Sequence, residues 1–368
     1  MKKILLILVF VFNYFTYICC VTFVKIPSNN VIIGSNEFTY KILGDNKTYF
    51  LYKENIVEIN EFEISKYLVT NSDYYKFKQS TNYKTSEERK RFMDMEDKFN
   101  ETSIKNNPVI DISVFDAIAY IQWFSEINGE MYRLPTNAEW EYMAMGKEKS
   151  KYPWGNENKI LESTKTTKPI YRHFFSIYEI KEDVSSLGIC NIYGGTEFVL
   201  DSYRYEKTGI NYNFIPYKNP IVFFEGNAQF SSRGGVRYNS FDNNHGLYFR
   251  YWAEFDNSMI SSFRMVKDNK TILNQNEIDE CVYYIGHGKN KNLETKIFLH
   301  PIESDFLYTI TGVEDFYILF KSTNNDYYRV YYKVVSQHES SIFNFEQWET
   351  GWVKSNDIIL TDKKWYEN

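Results

Sequence analysis

The strongest constraint in this 368-residue chain is a change of pattern at Gly146. Before it, three helices announce themselves by their starts. Thr70 precedes Asp73, Ser113 precedes Asp116 and Thr136 precedes Glu139: each pair sets an oxygen-bearing cap three residues ahead of a carboxylate, so side chains can satisfy the N–H groups that a helix start leaves unpaired. Only the third is the strict box with Glu. Gly129 and Gly146 offer left-handed stops to the second and third helices. In the second, Ala117, Ile118, Ile121 and Phe124 recur at three- and four-residue spacing, and that stripe should face the core. From Tyr152 to about Asp268 no helical period is sustained; short aromatic segments alternate with Gly, Asn and Pro. The pattern predicts an α+β, loop-rich domain held by specific contacts more than by regular layers.

A second change follows Lys267-Asp268-Asn269-Lys270, a charged stretch suited to a linker. Beyond it, Cys281–Ile285, Thr295–Leu299, Phe306–Ile310, Phe316–Phe320 and Tyr327–Val335 read as strands with polar breaks, so 269–368 is expected to be a small all-β domain. Its end, Thr350 to Ile358 with Gly351-Trp352-Val353, is similar to the closing strand and short turn of bacterial Src-homology-3-like barrels. Ordinary β-sandwich packing is the competing reading.

At the other end, Met1-Lys2-Lys3 followed by an apolar run to Cys20 reads as a signal peptide over residues 1–20, and a secreted, cell-surface or periplasmic location follows. An N-terminal membrane anchor is the alternative, but Val21 to Pro27 looks like the first strand of the folded domain. Cys19 and Cys20 suggest a lipid anchor, against which Tyr17 and Ile18 stand where small residues are expected. The remaining cysteines, Cys190 and Cys281, make no disulfide framework; one bridge between them or two free thiols are both open. With 42 basic against 48 acidic side chains and no basic block, nucleic acid is not an expected partner. Aromatic residues make up 18% of the chain. Because the excess runs throughout, it points first to codon usage and only second to a stacking surface for sugars or flat ligands.

Five blocks in order resemble the formylglycine-generating enzyme, or sulfatase-modifying factor, family. They are Phe23 to Pro27 with Ile33-Gly34-Ser35; Phe62 to Asn71 with Tyr74 and Phe77; Pro108-Val109 with Asp116-Ala117, Tyr120 and Trp123; Arg133-Leu-Pro-Thr-Asn-Ala-Glu139-Trp140-Glu-Tyr142 with Tyr152-Pro-Trp-Gly155; and Arg233-Gly234-Gly235, Arg250 and Ser262-Phe263-Arg264. The resemblance implies a C-type-lectin-like fold over residues 21–268. The residues also have structural readings. Arg133, Arg233, Arg250 and Arg264 can tie loops together through five donors each. Glu139 is first a helix cap, Trp123, Trp140 and Trp154 are first core residues, and Gly234-Gly235 suits close backbone approach or positive φ.

In catalytic members of the family, the loop after Arg-Gly-Gly carries two cysteines that bind copper and activate oxygen, converting a substrate cysteine to formylglycine. Here Val236–Arg250 contains no cysteine, so copper is not expected and no catalytic residue is assigned. The family's calcium motif is similar to Gly188–Asp201, with Asn191, Gly194 and Glu197 as candidate ligands, but one residue is missing between Gly194 and Glu197. An Asx-type turn into a strand is the competing account. The expectation is a noncatalytic module for a protein, peptide or glycan, with Tyr238, Asn239, His245, Tyr248, Arg250 and Trp252 as binding candidates. The contrasting expectation is an enzyme using Asp201 and Glu254 with His245.

Overall fold

The computed structural model describes residues 21–40, 49–86, 104–157, 176–178, 181–192, 195–203, 217–224, 226–234, 246–248, 250–256, 261–274, 280–313, 315–324, 326–336 and 345–367. The signal segment expected at 1–20 lies outside them. No helix of the described residues is long and apolar enough to cross a membrane.

The chain opens with β1 (Phe23–Ile26), passes through a hairpin of β2 (Asn29–Tyr40) and β3 (Tyr49–Ile59), and returns as β4 (Phe62–Ser65), antiparallel to β1. The capped helices follow: α1 (Asn71–Thr81), α2 (Val114–Asn128) and, after β5 (Tyr132–Arg133), α3 (Asn137–Met145). Their starts differ in a way the sequence did not separate. Ser113 and Asp116 form a full reciprocal box, as do Thr136 and Glu139, because the Asp116 carboxylate reaches the Ser113 N–H at 2.8 Å. At α1 the Asp73 carboxylate instead accepts from the Thr70 hydroxyl at 2.7 Å, so that cap works in one direction only.

Next come β6 (Thr196–Ser202), β7 (Gly226–Asn227), β8 (Gln229–Gly234), β9 (Arg250–Glu254), β10 (Ser261–Ser262) and β11 (Val266–Lys267). They complete two four-stranded sheets, ordered β1-β4-β11-β5 and β10-β6-β8-β9, with β10 and β6 the parallel pair. One core places Trp140 and Met143 of α3 against Ile26, Ile33 and Val57 of β1 and the hairpin. Trp154, expected in the core, is only half-buried; it lies parallel to Tyr152 with ring centroids 5.5 Å apart.

The C-terminal strands are β12 (Ile272–Asn274), β13 (Glu280–Asn290), β14 (Glu294–Phe298), β15 (Phe306–Thr311), β16 (Asp315–Ser322), β17 (Tyr327–Ser336), β18 (Phe345–Lys354) and β19 (Ile358–Thr361). They make one sheet in the order β12-β13-β16-β17-β18-β14-β15, with β19 beside β13 and β7 beside β18. Gly351-Trp352-Val353 does end a strand and lead into a short turn at Ser355–Asp357. The barrel does not follow: among the described residues no pairing joins β15 to the β12 and β19 edge. The sheet buries its inner face on the rest of the chain and so has no need to close upon itself.

That contact changes two expectations. Helix α2 is buried all round from Val114 to Phe124, because the sheet covers the face opposite the predicted stripe. Phe115 stacks on Trp365 at 5.1 Å and meets Tyr317 edge-on at 5.0 Å, while Phe230 and Phe255 stack on Tyr331. The expected linker is likewise part of the fold: Lys267 lies in β11, and buried Asp268 accepts from Arg133 Nε at 3.1 Å.

Candidate functional site

Arg133, Glu139, Glu141, Arg233 and Arg250 of these blocks gather at the first turns of α3 and the roots of the Val236–Arg250 loop. Arg133, fully buried on β5, forms a two-pronged pair with Glu139, both bonds at 2.7 Å, and a third with Asp268. Burial pulls its pKa down, but the two carboxylates more than offset this and the guanidinium stays charged. Glu139 serves twice, since one of its oxygens also accepts the Thr136 N–H at 2.9 Å to cap the helix.

Two residues on, Glu141 gathers the loop roots. It accepts from Arg233 Nη2 at 2.7 Å, lies 3.9 Å from Arg250 Nη2, and takes the Gly34 N–H from the β2 strand. Arg233 also donates to the Leu247 carbonyl at 3.0 Å and sits over the Trp140 ring at 5.1 Å. Gly234 has φ +87°, and a Cβ there would stand 2.6 Å from the Gly195 carbonyl oxygen, so only glycine allows this approach. Asp201 accepts the Asn137 N–H at 2.6 Å and the Val222 N–H at 3.0 Å. Burial pushes its pKa up to about 6 despite those bonds.

Arg264 closes the third tie. Its fork meets both oxygens of Glu197 at 2.5 and 2.7 Å, and its remaining donors reach the Ser65, Lys66 and Cys190 carbonyls. This bears on calcium. Glu197 is fully buried with each oxygen committed to the guanidinium, and Gly194 lies outside the described residues. Asn191 keeps a buried Oδ1 without a hydrogen-bond partner, but one amide oxygen is far from the six to eight that calcium takes. The described residues do not fit a calcium cage.

Among the binding candidates, Tyr238, Asn239 and His245 lie outside the described residues, as does Gly235. Trp252 is on β9 opposite Ser231, with its side chain outside the description. Tyr248 and Arg250 are buried: Lys149 covers the Tyr248 ring at 5.7 Å, and Arg250 turns toward Glu141. Cys190 and Cys281 are buried and form no disulfide, and burial raises the Cys190 pKa, so that thiol stays protonated at neutral pH. Sequence reasoning gave no role to Glu141 and read Asp268 only as part of a linker. Glu141 stands in the quoted Trp-Glu-Tyr block, but nothing local names partners 92 residues away.

Residues 22–269 match the model of the sulfatase-modifying factor enzyme 1-like domain. Among curated proteins, the formylglycine-generating enzyme of Thermomonospora curvata is 46% identical over 57 residues, 15% of this chain and 17% of that protein. The formylglycine-generating enzyme of Mus musculus is 36% identical over 84 residues, 23% of this chain and 18% of that protein. The chain thus matches less than a fifth of the length of either. Among solved structures, Treponema denticola variable protein 1 aligns over 67% of this chain and 95% of its own, with TM-score 0.48 and 16% identity. PvdO from Pseudomonas aeruginosa aligns over 68% and 95%, with TM-score 0.46 and 17% identity. Because the domain match takes in well over half of the residues, the chain belongs to the sulfatase-modifying factor enzyme 1-like family.

Proposed function

We propose that this is an exported, noncatalytic binding module: a C-type-lectin-like scaffold that has lost the oxidase chemistry of its formylglycine-generating relatives and holds a glycan, peptide or protein outside the cytoplasm. One observation carries the reading. The Val236–Arg250 loop has no cysteine, and without thiolates there is no soft donor set for Cu(I). The contrasting enzyme would need Asp201, Glu254 and His245 to act together. Asp201 weighs against it, because both of its oxygens are taken by backbone N–H groups that fasten α3 and the segment at Val222.

The test is direct. Mature protein is loaded with copper and offered a sulfatase-type peptide, and the peptide is assayed by mass for conversion of cysteine to the aldehyde. No conversion, beside a competent relative run in parallel, is the expected result; turnover would overturn the reading.

A further inference from the structure

A polar cavity of about 280 Å³ opens where the start of β1, the β4–α1 connection and the first turns of α1 meet Asn106 and the Ile177-Tyr178 segment. None of its walls comes from the described part of the 236–250 loop. Its lining combines the Tyr67 and Tyr178 rings, edge to face at 5.4 Å, with the side chains of Ser72, Asp73, Lys76 and Asn106.

The chemistry of these walls excludes most ligand classes in turn. An anion would look for the N–H groups at the start of α1, but all four are used: Asn71 donates to Asn107, Ser72 to Lys105, and Asp73 and Tyr74 to Thr70. A cation would look for Asp73, which Lys76 already neutralises at 3.3 Å. Lys66 also occupies one face of Tyr67, at 5.5 Å from the ring centroid. An extended peptide would look for an unpaired strand edge. The bordering backbone offers none at its key points: Lys66 N–H bonds Thr22, the Lys66 carbonyl takes Cys190, Val69 N–H bonds Phe263, and the Val69 carbonyl takes Val109. What remains is a charge-balanced pocket of hydroxyl, amide, carboxylate and ammonium groups beside a ring, Tyr178, that is 59% exposed. An amphipathic ring beside mixed donors and acceptors suits a ligand with an apolar face and many hydroxyls.

We infer that this cavity is a subsite for one residue of a neutral saccharide, with Tyr178 as its stacking platform. The inference does not depend on what the 236–250 loop does.

The full chain is printed against an array of neutral N-acetylglucosamine- and galactose-containing glycans, sialylated and sulfated glycans, and peptides. The variants are Tyr178→Ala, Tyr178→Phe and Asn106→Trp, all at exposed positions, with circular dichroism to check folding. Neutral glycans should bind the native chain and Tyr178→Phe, and binding should fall at least about tenfold, a loss of about 1.4 kcal/mol, in Tyr178→Ala and in Asn106→Trp, which fills the cavity. Neutral-glycan binding unchanged in both of those variants would overturn this site while leaving a binding module in place. Capture of only anionic glycans or only peptides would do the same. Silence on the array together with aldehyde formation in the copper assay would overturn both readings.

Discussion

Trp365 is the residue whose removal should say most about how the molecule holds together. It lies three residues from the end of the sequence, yet it is fully buried. Its N–H donates to Gln122 Oε1 of α2 at 2.7 Å, its indole Nε1 donates to the Gly286 carbonyl of β13 at 2.8 Å, and its ring stacks on Phe115 and meets Tyr317 edge-on at 5.1 Å. One side chain therefore joins the family domain to the C-terminal sheet. Replacing a buried Trp by Ala costs about 3–5 kcal/mol for lost transfer energy and the cavity left behind. Losing the Nε1 donor places Trp365→Ala in the upper part of that range, since a buried carbonyl deprived of its partner costs about 1–3 kcal/mol by itself. Against a typical total of about 5–15 kcal/mol, the loss is large. The assay is guanidinium denaturation followed by far-ultraviolet circular dichroism and by intrinsic fluorescence. With one shared core the two probes should give coincident transitions in both chains, with the unfolding free energy of Trp365→Ala lowered by about 4–5 kcal/mol. Trp365→Phe keeps the stack and should lose about 1–2 kcal/mol. A loss under about 1 kcal/mol in the Ala variant, or two separate transitions of which only one moves, would refute the argument.

Three further outcomes follow from the same structure. Arg264→Met should cost about 3–5 kcal/mol by leaving Glu197 buried without its partner, and Arg264→Met with Glu197→Leu should cost less than the single change; equal or greater loss in a denaturant titration of the double variant would contradict the pairing. Chelation with EGTA should leave the thermal midpoint unchanged, because Glu197 is spent on Arg264; a clear drop restored by calcium would count against this. His287 is buried beside Thr361, and burial lowers its pKa, with Asp315 pulling upward and Lys363 and Lys289 adding to the fall. The unfolded chain then takes the proton more readily, so this residue's contribution is intact above the ordinary imidazole range near pH ~6.5 and is lost on acidification below it. His287→Asn should flatten that acid-side loss, as read from denaturation midpoints between pH ~7 and ~5, and parallel curves for the two chains would dismiss the mechanism.

What the sequence discloses and what it conceals divide by distance along the chain. The helix starts were legible because a cap is chemistry among neighbours: Ser113 and Asp116, or Thr136 and Glu139, meet within three residues. The C-terminal strands were legible for the same reason, their apolar runs and polar breaks being local. Partners were not. Arg133 finds Asp268 across 135 residues, and Arg264 finds Glu197 across 67. The acids were thus read by local context, one as part of a linker and the other as a calcium ligand. The complete burial of α2 was hidden likewise, since its apolar stripe shows only the face it would bury alone. Phe115 and Gln122, off that stripe, are buried by residues more than two hundred positions later.

The arginine ties also explain how a chain can keep this scaffold without the family's cysteines. The loop leaves β8 after Gly234 and returns at β9, where Arg233 and Arg250 are paired in register. Both ends are fastened by groups outside the span between them. Gly234 is fixed by its approach to the Gly195 carbonyl, Arg233 holds the Leu247 carbonyl, and Glu141 of α3 receives Arg233 and lies near Arg250. Glu141 is held in turn by a helix whose first turn is capped by Thr136 and Glu139 and bonded by Asp201. No contact in this chain of support calls for a thiol. The fold therefore fixes where the loop begins and ends through glycine, carboxylate and guanidinium contacts that need no cysteine.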